Sequence, residues 1–268
     1  MAQLPPACQI DPGRIDPLLG PARGRFMVEA LAECSSTNTL LLERARQGAP
    51  SGSLLIADQQ TAGRGRRGRS WLSSPSAGLT FSLLWRFNGT VARLAGLSLA
   101  VGLAVARALE RMGATGVGLK WPNDILLDGG KLGGILVELE SEPAGMLAVI
   151  GIGLNLQLPP AGEEAFLHPP AALAQALSPL PDRHRLLADL LLELAVVLDR
   201  FAEGGFRVLR ADWQQQHSWQ GQPVRLLDGG RVDRQGICLG ADEYGALLLQ
   251  TASGIERCLS GDLSLRVA

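Results

Sequence analysis

The rhythm of apolar positions changes several times along the chain, and each change predicts an element. Ser36-Thr37-Asn38 offers three N-cap side chains before Leu40 to Arg46, and Gly48 follows, so a short helix is predicted there. Ser53 to Ala57 is a brief apolar run, and Gly78 to Trp85 mixes aromatic and apolar residues with Thr80 and Ser82; both read as strands. Val91 to Met112 is apolar on most faces and predicts a buried helix ending at Gly113. Val117 to Trp121 and Ile125 to Leu127 are short strands, and Asp128-Gly129-Gly130 is a tight hairpin turn. Ile135, Val137 and Leu139 alternate with polar residues, and Met146 to Leu154 pairs back onto them through Pro143-Ala144-Gly145.

Asp182 to Glu203 carries a wide apolar stripe from Leu186 to Phe201 and predicts the longest helix, closed by Gly204-Gly205. A further helix runs to about Gln216. After Trp219 the texture becomes short strands punctuated by Asp228-Gly229-Gly230, Asp242-Glu243-Tyr244-Gly245 and Ser253-Gly254, which suggests a small barrel. The expected organisation is a loose N-terminal segment over 1–25, an α/β (α+β) domain over 26–217 and a β module over 218–268. The stretch before Pro21 is rich in Pro, Gly and Asp and lacks the basic and apolar regions of a signal peptide.

Composition narrows the classes. Of 268 residues, 46% are apolar and 19% charged, enough for a sizeable core and unlike a disordered chain. The net charge of −1 excludes coating nucleic acid or an anionic membrane by bulk charge. Pro143 to Gly162 is uncharged, but its Asn155, Gln157, Pro159 and Pro160 favour a strand and loop over a membrane span. Cys8, Cys34, Cys238 and Cys258 show no metal spacing and read as reduced residues of a cytoplasmic protein. One bias stands out: 23 basic residues are Arg, and the two lysines are Lys120 and Lys131. Lysine kept against such a skew marks places where a compact ammonium is needed, unless the skew is drift.

Four segments carry candidate chemistry. Gly63-Arg64-Gly65-Arg66-Arg67-Gly68 matches a dinucleotide fingerprint formally, but Arg69-Ser70-Trp71 and Ser73-Ser74-Pro75 will not start a helix behind it. It reads either as a solvated basic loop or as a cradle for a polyphosphate or carboxylate. Lys120-Trp121-Pro122-Asn123-Asp124 makes a rigid turn leading to Lys131-Leu132-Gly133-Gly134. Asp124 there could hold Mg²⁺ or orient a nucleophile, and Lys131 could meet phosphate oxygens. Ser36-Thr37-Asn38 could simply cap a helix. Gly151-Ile152-Gly153-Leu154-Asn155 ends a buried strand with small residues, as where a ligand approaches. His168, His184 and His217 share no spacing and read as structural, and no Ser/His/Asp or Cys/His array is visible.

In this order the segments resemble the biotin protein ligase family: the Ser36-Thr37-Asn38 helix start, the Gly63 to Trp71 loop, the Lys120 to Asp124 turn, Lys131 to Leu136, and Gly151 to Asn155. Gln222-Pro223-Val224, Gly245 to Leu249 and Gly261 to Arg266 resemble its final module. The resemblance implies a catalytic domain like class II aminoacyl-tRNA synthetases, with a mixed sheet, followed by an SH3-like β-barrel. It implies activation of biotin by MgATP to biotinoyl-5′-AMP, then transfer to a lysine of a biotin carboxyl carrier protein of acetyl-CoA carboxylase or a related carboxylase. Biotin, ATP and Mg²⁺ are the expected small molecules, with no protein residue assigned to the metal.

By the same resemblance Lys131, Arg66 and Asp124 are the catalytic candidates. Ser36, Thr37 and Gln60 fall toward biotin's ureido ring, and Asn38 is counted among the binding residues. Gly63, Arg64, Gly65, Arg69, Trp71, Asn123, Gly133 and Asn155 complete the biotin and nucleotide site, with Trp71 and Asn155 toward the adenylate. The substrate's own carboxylate is the nucleophile, so the enzyme needs cations where two anions meet and no Ser or Cys. Two features depart from relatives. Ser35 stands where many carry an acid, and the short front leaves no room for a winged helix-turn-helix, so no DNA binding is expected. A homodimer stays open. The rival readings are a lipoate or octanoyl protein ligase of the same fold and a non-catalytic biotin-binding regulator.

Overall fold

The computed structural model describes residues 10–72, 75, 77–158, 169–228, 231–259 and 263–267. A seven-stranded sheet organises the larger part: β1 (Met27–Cys34), β2 (Ser53–Gln60), β3 (Gly78–Phe87), β4 (Val117–Lys120), β5 (Asp124–Leu127), β6 (Gly130–Glu142) and β7 (Gly145–Asn155). Their order is β1-β2-β3-β7-β6-β5-β4. β1 and β2 are parallel and the other neighbours antiparallel, so the sheet is mixed. The Asp128-Gly129 turn works because both residues take positive φ, 47° and 81°, the twist that suits a two-residue hairpin.

Helices cover both faces. Helix α2 (Thr37–Arg46) begins after Ser36 and lays Leu41 and Ala45 on Leu84, Leu147 and Val149. Helices α3 (Leu97–Arg111) and α4 (Arg183–Gly204) pack on each other in the main core, and the Asp182 side chain caps α4 by accepting from His184 N. The helix expected from Val91 starts at Leu97 instead. Residues Val91–Leu94 form a separate 3₁₀ turn, and Gly96 adopts φ +81°, where a Cβ would stand 2.7 Å from Phe206 Cβ. The stretch Val91–Arg111 is long and apolar enough to cross a membrane, but α3 lies buried within the core.

The N-terminal segment is not loose over residues 10–22. Helix α1 (Pro12–Ile15), capped by Asp11, runs into a 3₁₀ turn (Asp16–Ala22), and Ile15 and Leu19 are fully buried. His184 fixes it to α4 by accepting from Asp11 N at 2.9 Å. These apolar residues lack a helical period, which hid the packing from a pattern search. The first nine residues, with Cys8, lie outside the described residues, as does His168.

Helix α5 (Arg210–Gln216) leads to an antiparallel sheet of β8 (Pro223–Asp228), β9 (Arg231–Ala241), β10 (Leu247–Thr251), β11 (Gly254–Cys258) and β12 (Leu263–Val267). Its order is β11-β10-β9-β8-β12, and among the described residues no ladder joins β11 to β12, so the sheet is open at that seam. It docks tightly. Trp121 Nε1 donates to Gly245 O at 3.1 Å, and buried His217 bridges Leu119 O at 3.0 Å and Cys238 Sγ at 3.2 Å.

Candidate active site

A cavity of about 490 Å³ opens where the ends of β2, β3, β6 and β7 meet the 63–71 loop, the 120–124 turn and one residue of the C-terminal sheet, Arg266. All the sequence candidates line it except Gly63 and Gly133. A Cβ on Gly63 would stand 2.3 Å from Trp71 O, at the base of the loop, and one on Gly133 would stand 2.5 Å from Gly153 O, between β6 and β7. Both glycines serve close packing at the border of the cavity.

One end of the cavity is a neutral polar wall. Ser36, Thr37 and Asn38 open α2 and are all buried, as is Gln60 at the end of β2. Thr37 N donates to Gln60 Oε1 at 2.7 Å. Ser82, which sequence reasoning read only as part of a strand, lies 2.7 Å from Thr37 Oγ1 and donates to Asn38 Oδ1 at 2.6 Å. Gly151 makes room for this, since a Cβ there would stand 2.3 Å from Asn38 Oδ1. The alternation of Thr80 and Ser82 inside an apolar strand was the available signal, because both point to one side.

The loop is folded over the cavity. Arg64 pairs with Glu138 at 2.8 Å, and Arg66 Nη1 donates to Asn123 Oδ1 at 3.1 Å. Trp71 Nε1 donates to Thr80 Oγ1 at 3.3 Å, and its indole lies against Gly153, where a Cβ would stand 2.4 Å from the ring. The two glycines of Gly151-Ile152-Gly153 are therefore required by two different side chains. Asn155 Nδ2 ties Lys131 O at 3.2 Å to Ala171 O at 3.1 Å, which braces the segment carrying Lys131.

The other end is cationic. Asp124 accepts from Lys120 on Oδ2 and from Lys131 on Oδ1, both at 2.7 Å. Burial alone would push the Asp124 carboxyl up, but the ammoniums of Lys131 and Lys120 outweigh it and hold it far below the usual carboxylate range. Burial lowers Lys120 to about 8 from 10.5, with Asp124 restoring part of the loss. Trp219 covers this lysine, its ring centroid 5.4 Å from Nζ. Arg67 adopts φ 62° and has its Nη2 buried without a hydrogen-bond partner among the described residues. Arg266 is held below its ordinary value, first by burial, and feels the nearby charges of Asp124, Arg69 and Arg67. Neither Arg67 nor Arg266 was singled out from the sequence.

Of the two roles the sequence left open for Asp124, metal ligation does not fit. It is the one carboxylate lining the cavity among the described residues, and each oxygen already meets an ammonium. Magnesium seeks carboxylates that keep an oxygen for it, usually alongside substrate phosphates.

The Biotin/lipoate A/B protein ligase family matches residues 31–155, and the Biotin protein ligase C terminal domain matches residues 220–266. The chain is 36% identical over 253 residues to the biotin–[acetyl-CoA-carboxylase] ligase of Mycobacterium tuberculosis, covering 92% of each. The chain belongs to the biotin protein ligase family. It is also 38% identical over 242 residues to the bifunctional ligase/repressor BirA of Escherichia coli (strain K12), covering 90% of this chain and 74% of that one. The solved biotin protein ligase from Aquifex aeolicus in complex with biotin and ATP aligns with a TM-score of 0.76 at 33% identity, over 90% of this chain and 99% of that one.

Proposed function

We propose that this biotin protein ligase activates biotin with ATP as biotinoyl-5′-AMP and transfers it to a lysine of a biotin carboxyl carrier protein domain, that of acetyl-CoA carboxylase or a related carboxylase, in the cytoplasm. The observation that carries the reading is the division of one cavity into a neutral polar wall and a cationic end. Biotin's ureido ring presents neutral N–H and C=O groups, and Ser36, Thr37 and Gln60 offer matching partners. Its carboxylate and the α-phosphate are both anions and must be brought together, which the Lys131 ammonium does by contacting an oxygen of each. Arg66, Arg67, Arg69 and Arg266 receive the remaining phosphate charge, and Trp71 with Asn155 bounds the adenosine side.

In the first step a biotin carboxylate oxygen attacks the α-phosphorus and pyrophosphate leaves. Any divalent cation enters on the phosphates of ATP, and this chain's residues supply orientation and charge. In the second step the acceptor amine attacks the anhydride carbonyl, AMP leaves, and the amine's surplus proton passes to solvent. Asp124, with its strongly depressed carboxyl, is a poor proton acceptor. Its place is to orient the incoming amine and to hold Lys131.

A lipoate or octanoyl chain would leave the polar wall unpaired, at about 1–3 kcal/mol for each buried group. The test is incubation with ATP, a carrier domain and either biotin or lipoate, followed by mass analysis of the carrier lysine. Biotinylation is the expected result. Modification by lipoate in preference overturns the reading, and pyrophosphate-free binding of biotin makes the protein a regulator.

A further inference from the structure

The polar wall extends beyond the cavity to a residue that does not line it. Glu138, on β6, accepts from Asn38 Nδ2 at 2.9 Å and pairs with Arg64 at 2.8 Å. Asn38 Nδ2 also donates to Leu136 O at 3.3 Å. A carboxylate and a carbonyl can only accept, so the Asn38 amide has one orientation, with Oδ1 turned to Ser82. Ser82 spends its single hydroxyl proton on Asn38 Oδ1 at 2.6 Å. Ser82 therefore has no proton left for Thr37 Oγ1, 2.7 Å away, and the single Thr37 hydroxyl proton is divided between Ser82 Oγ and Gln60 Oε1, the latter at 3.1 Å. Gln60 Oε1 is meanwhile held by Thr37 N at 2.7 Å. The Asn38 and Ser82 protons point toward Glu138, the Thr37 proton is spent within the wall on Gln60 or Ser82, and Thr37 Oγ1 is left as an acceptor at the cavity.

We propose that Glu138 is a positioning residue for substrate specificity: it fixes the proton direction along Asn38 and Ser82 and so keeps the Ser82 proton off Thr37 Oγ1, which accepts a ring N–H of a cyclic urea. The inference rests on the proposed function, since it assigns the polar wall to biotin. Glu138 touches no reacting atom, and its effect falls on selection of the ring rather than on the chemical step.

Glu138→Gln keeps size and offers an N–H, which lets the Asn38 amide invert and the row reverse. KM for biotin is expected to rise about tenfold, the upper end of the range for one hydrogen bond between neutral groups, with kcat and KM for ATP little changed. Wild type should discriminate biotin from an oxazolidinone analogue, in which oxygen replaces one ring N–H, and Glu138→Gln should lose most of that discrimination. Glu140→Gln, on the same strand and paired with Arg46, serves as the control and should match wild type. Ser82→Ala cuts the row in its middle, so adding Glu138→Gln to it should cost nothing further. Full additivity of the two changes, or unaltered discrimination in Glu138→Gln, overturns the inference while leaving the function intact. Failure of the wild type to activate biotin overturns both.

Discussion

Lys131 Nζ donates to Asp124 Oδ1 across 2.7 Å, while Lys120 holds the other oxygen from a site only 3% exposed. One carboxylate thus spaces two ammoniums, a buried one that anchors and a half-buried one that faces the cavity. The compositional skew toward Arg gains a physical reading here. A guanidinium fork in either place would bring planar bulk where single oxygens have to be met. Lys131→Arg is expected to lower the rate of adenylate formation at least tenfold, through misplacement of charge rather than its loss. Near-normal single-turnover adenylation by that variant would detach Lys131 from the chemistry.

Removing the central carboxylate should act on stability as well as turnover. Asp124→Asn leaves Lys120 buried without its counter-charge, a change that costs about 3–5 kcal/mol when a buried pair is broken. The deficit should shrink as pH rises toward about 8 and level off above it, because Lys120 without Asp124 sheds its proton at a lower pH than in wild type. Thermal denaturation of variant and wild type across that range checks this, and a deficit independent of pH would contradict it.

The wild type carries its own pH signature. Lys120 ionises near 8 in the fold against an ordinary 10.5. Its burial penalty is therefore fully present below 8 and is relieved between the two values, where the folded state has already lost the proton. Asp124 works in the opposite sense: its contribution is present above the ordinary carboxylate range and is lost as pH falls toward its depressed folded value. The adenylation rate should fall above about pH 8 as Asp124 loses one of its partners. Lys120→Met should be slower and lack that bend, and a variant that retained the bend would assign it elsewhere.

Gly151 and Gly153 should fail in different ways. A methyl on Gly151 meets Asn38 Oδ1 at 2.3 Å, and a methyl on Gly153 meets the Trp71 indole at 2.4 Å. Gly151→Ala should raise KM chiefly for biotin, and Gly153→Ala chiefly for ATP, each about tenfold or more, as displacement of a packed group by a methyl predicts. Steady-state kinetics with each substrate varied in turn separates them. Equal effects on both substrates would mean that the two ends of the cavity are not distinct.

Much of this was legible in the sequence because the informative features were local. The hairpin at Asp128-Gly129, the helix start after Ser36 and the Asp182 start of α4 each depend on a few neighbouring residues. Thr37, Trp71, Asp124 and Lys131, each from one of the ordered segments, line one cavity. What stayed hidden depends on partners far along the chain. Ser82 reads as an ordinary strand residue until Asn38 arrives, and Glu138 as a solvent-facing acid until Asn38 and Arg64 do. Arg266 enters the cavity only because Trp121 and His217 fasten the C-terminal sheet to β4 and its following turn. The close backbone approach at Gly63 and Gly133 was also hidden, since spacing does not distinguish a glycine that meets a ligand from one that meets another backbone.

Arg66 reaches Asn123 at 3.1 Å, which closes the loop beside the reacting centre. If that contact retains the anhydride, Arg66→Gly should release it and label lysines of bystander proteins. Biotinylation of serum albumin added to the reaction measures the leak, and labelling no greater than that by wild type would show that the loop is not the barrier.

The central claim is that one cavity first joins biotin to AMP and then gives the acyl group away. Single-turnover analysis with ATP labelled in the α-phosphate, run without carrier, tests it most directly. The account predicts biotinoyl-5′-AMP in amounts matching the enzyme, with free AMP appearing once a carrier domain is added, and no adenylate with lipoate. Absence of label in a biotin adduct, or the same yield with lipoate, would contradict it.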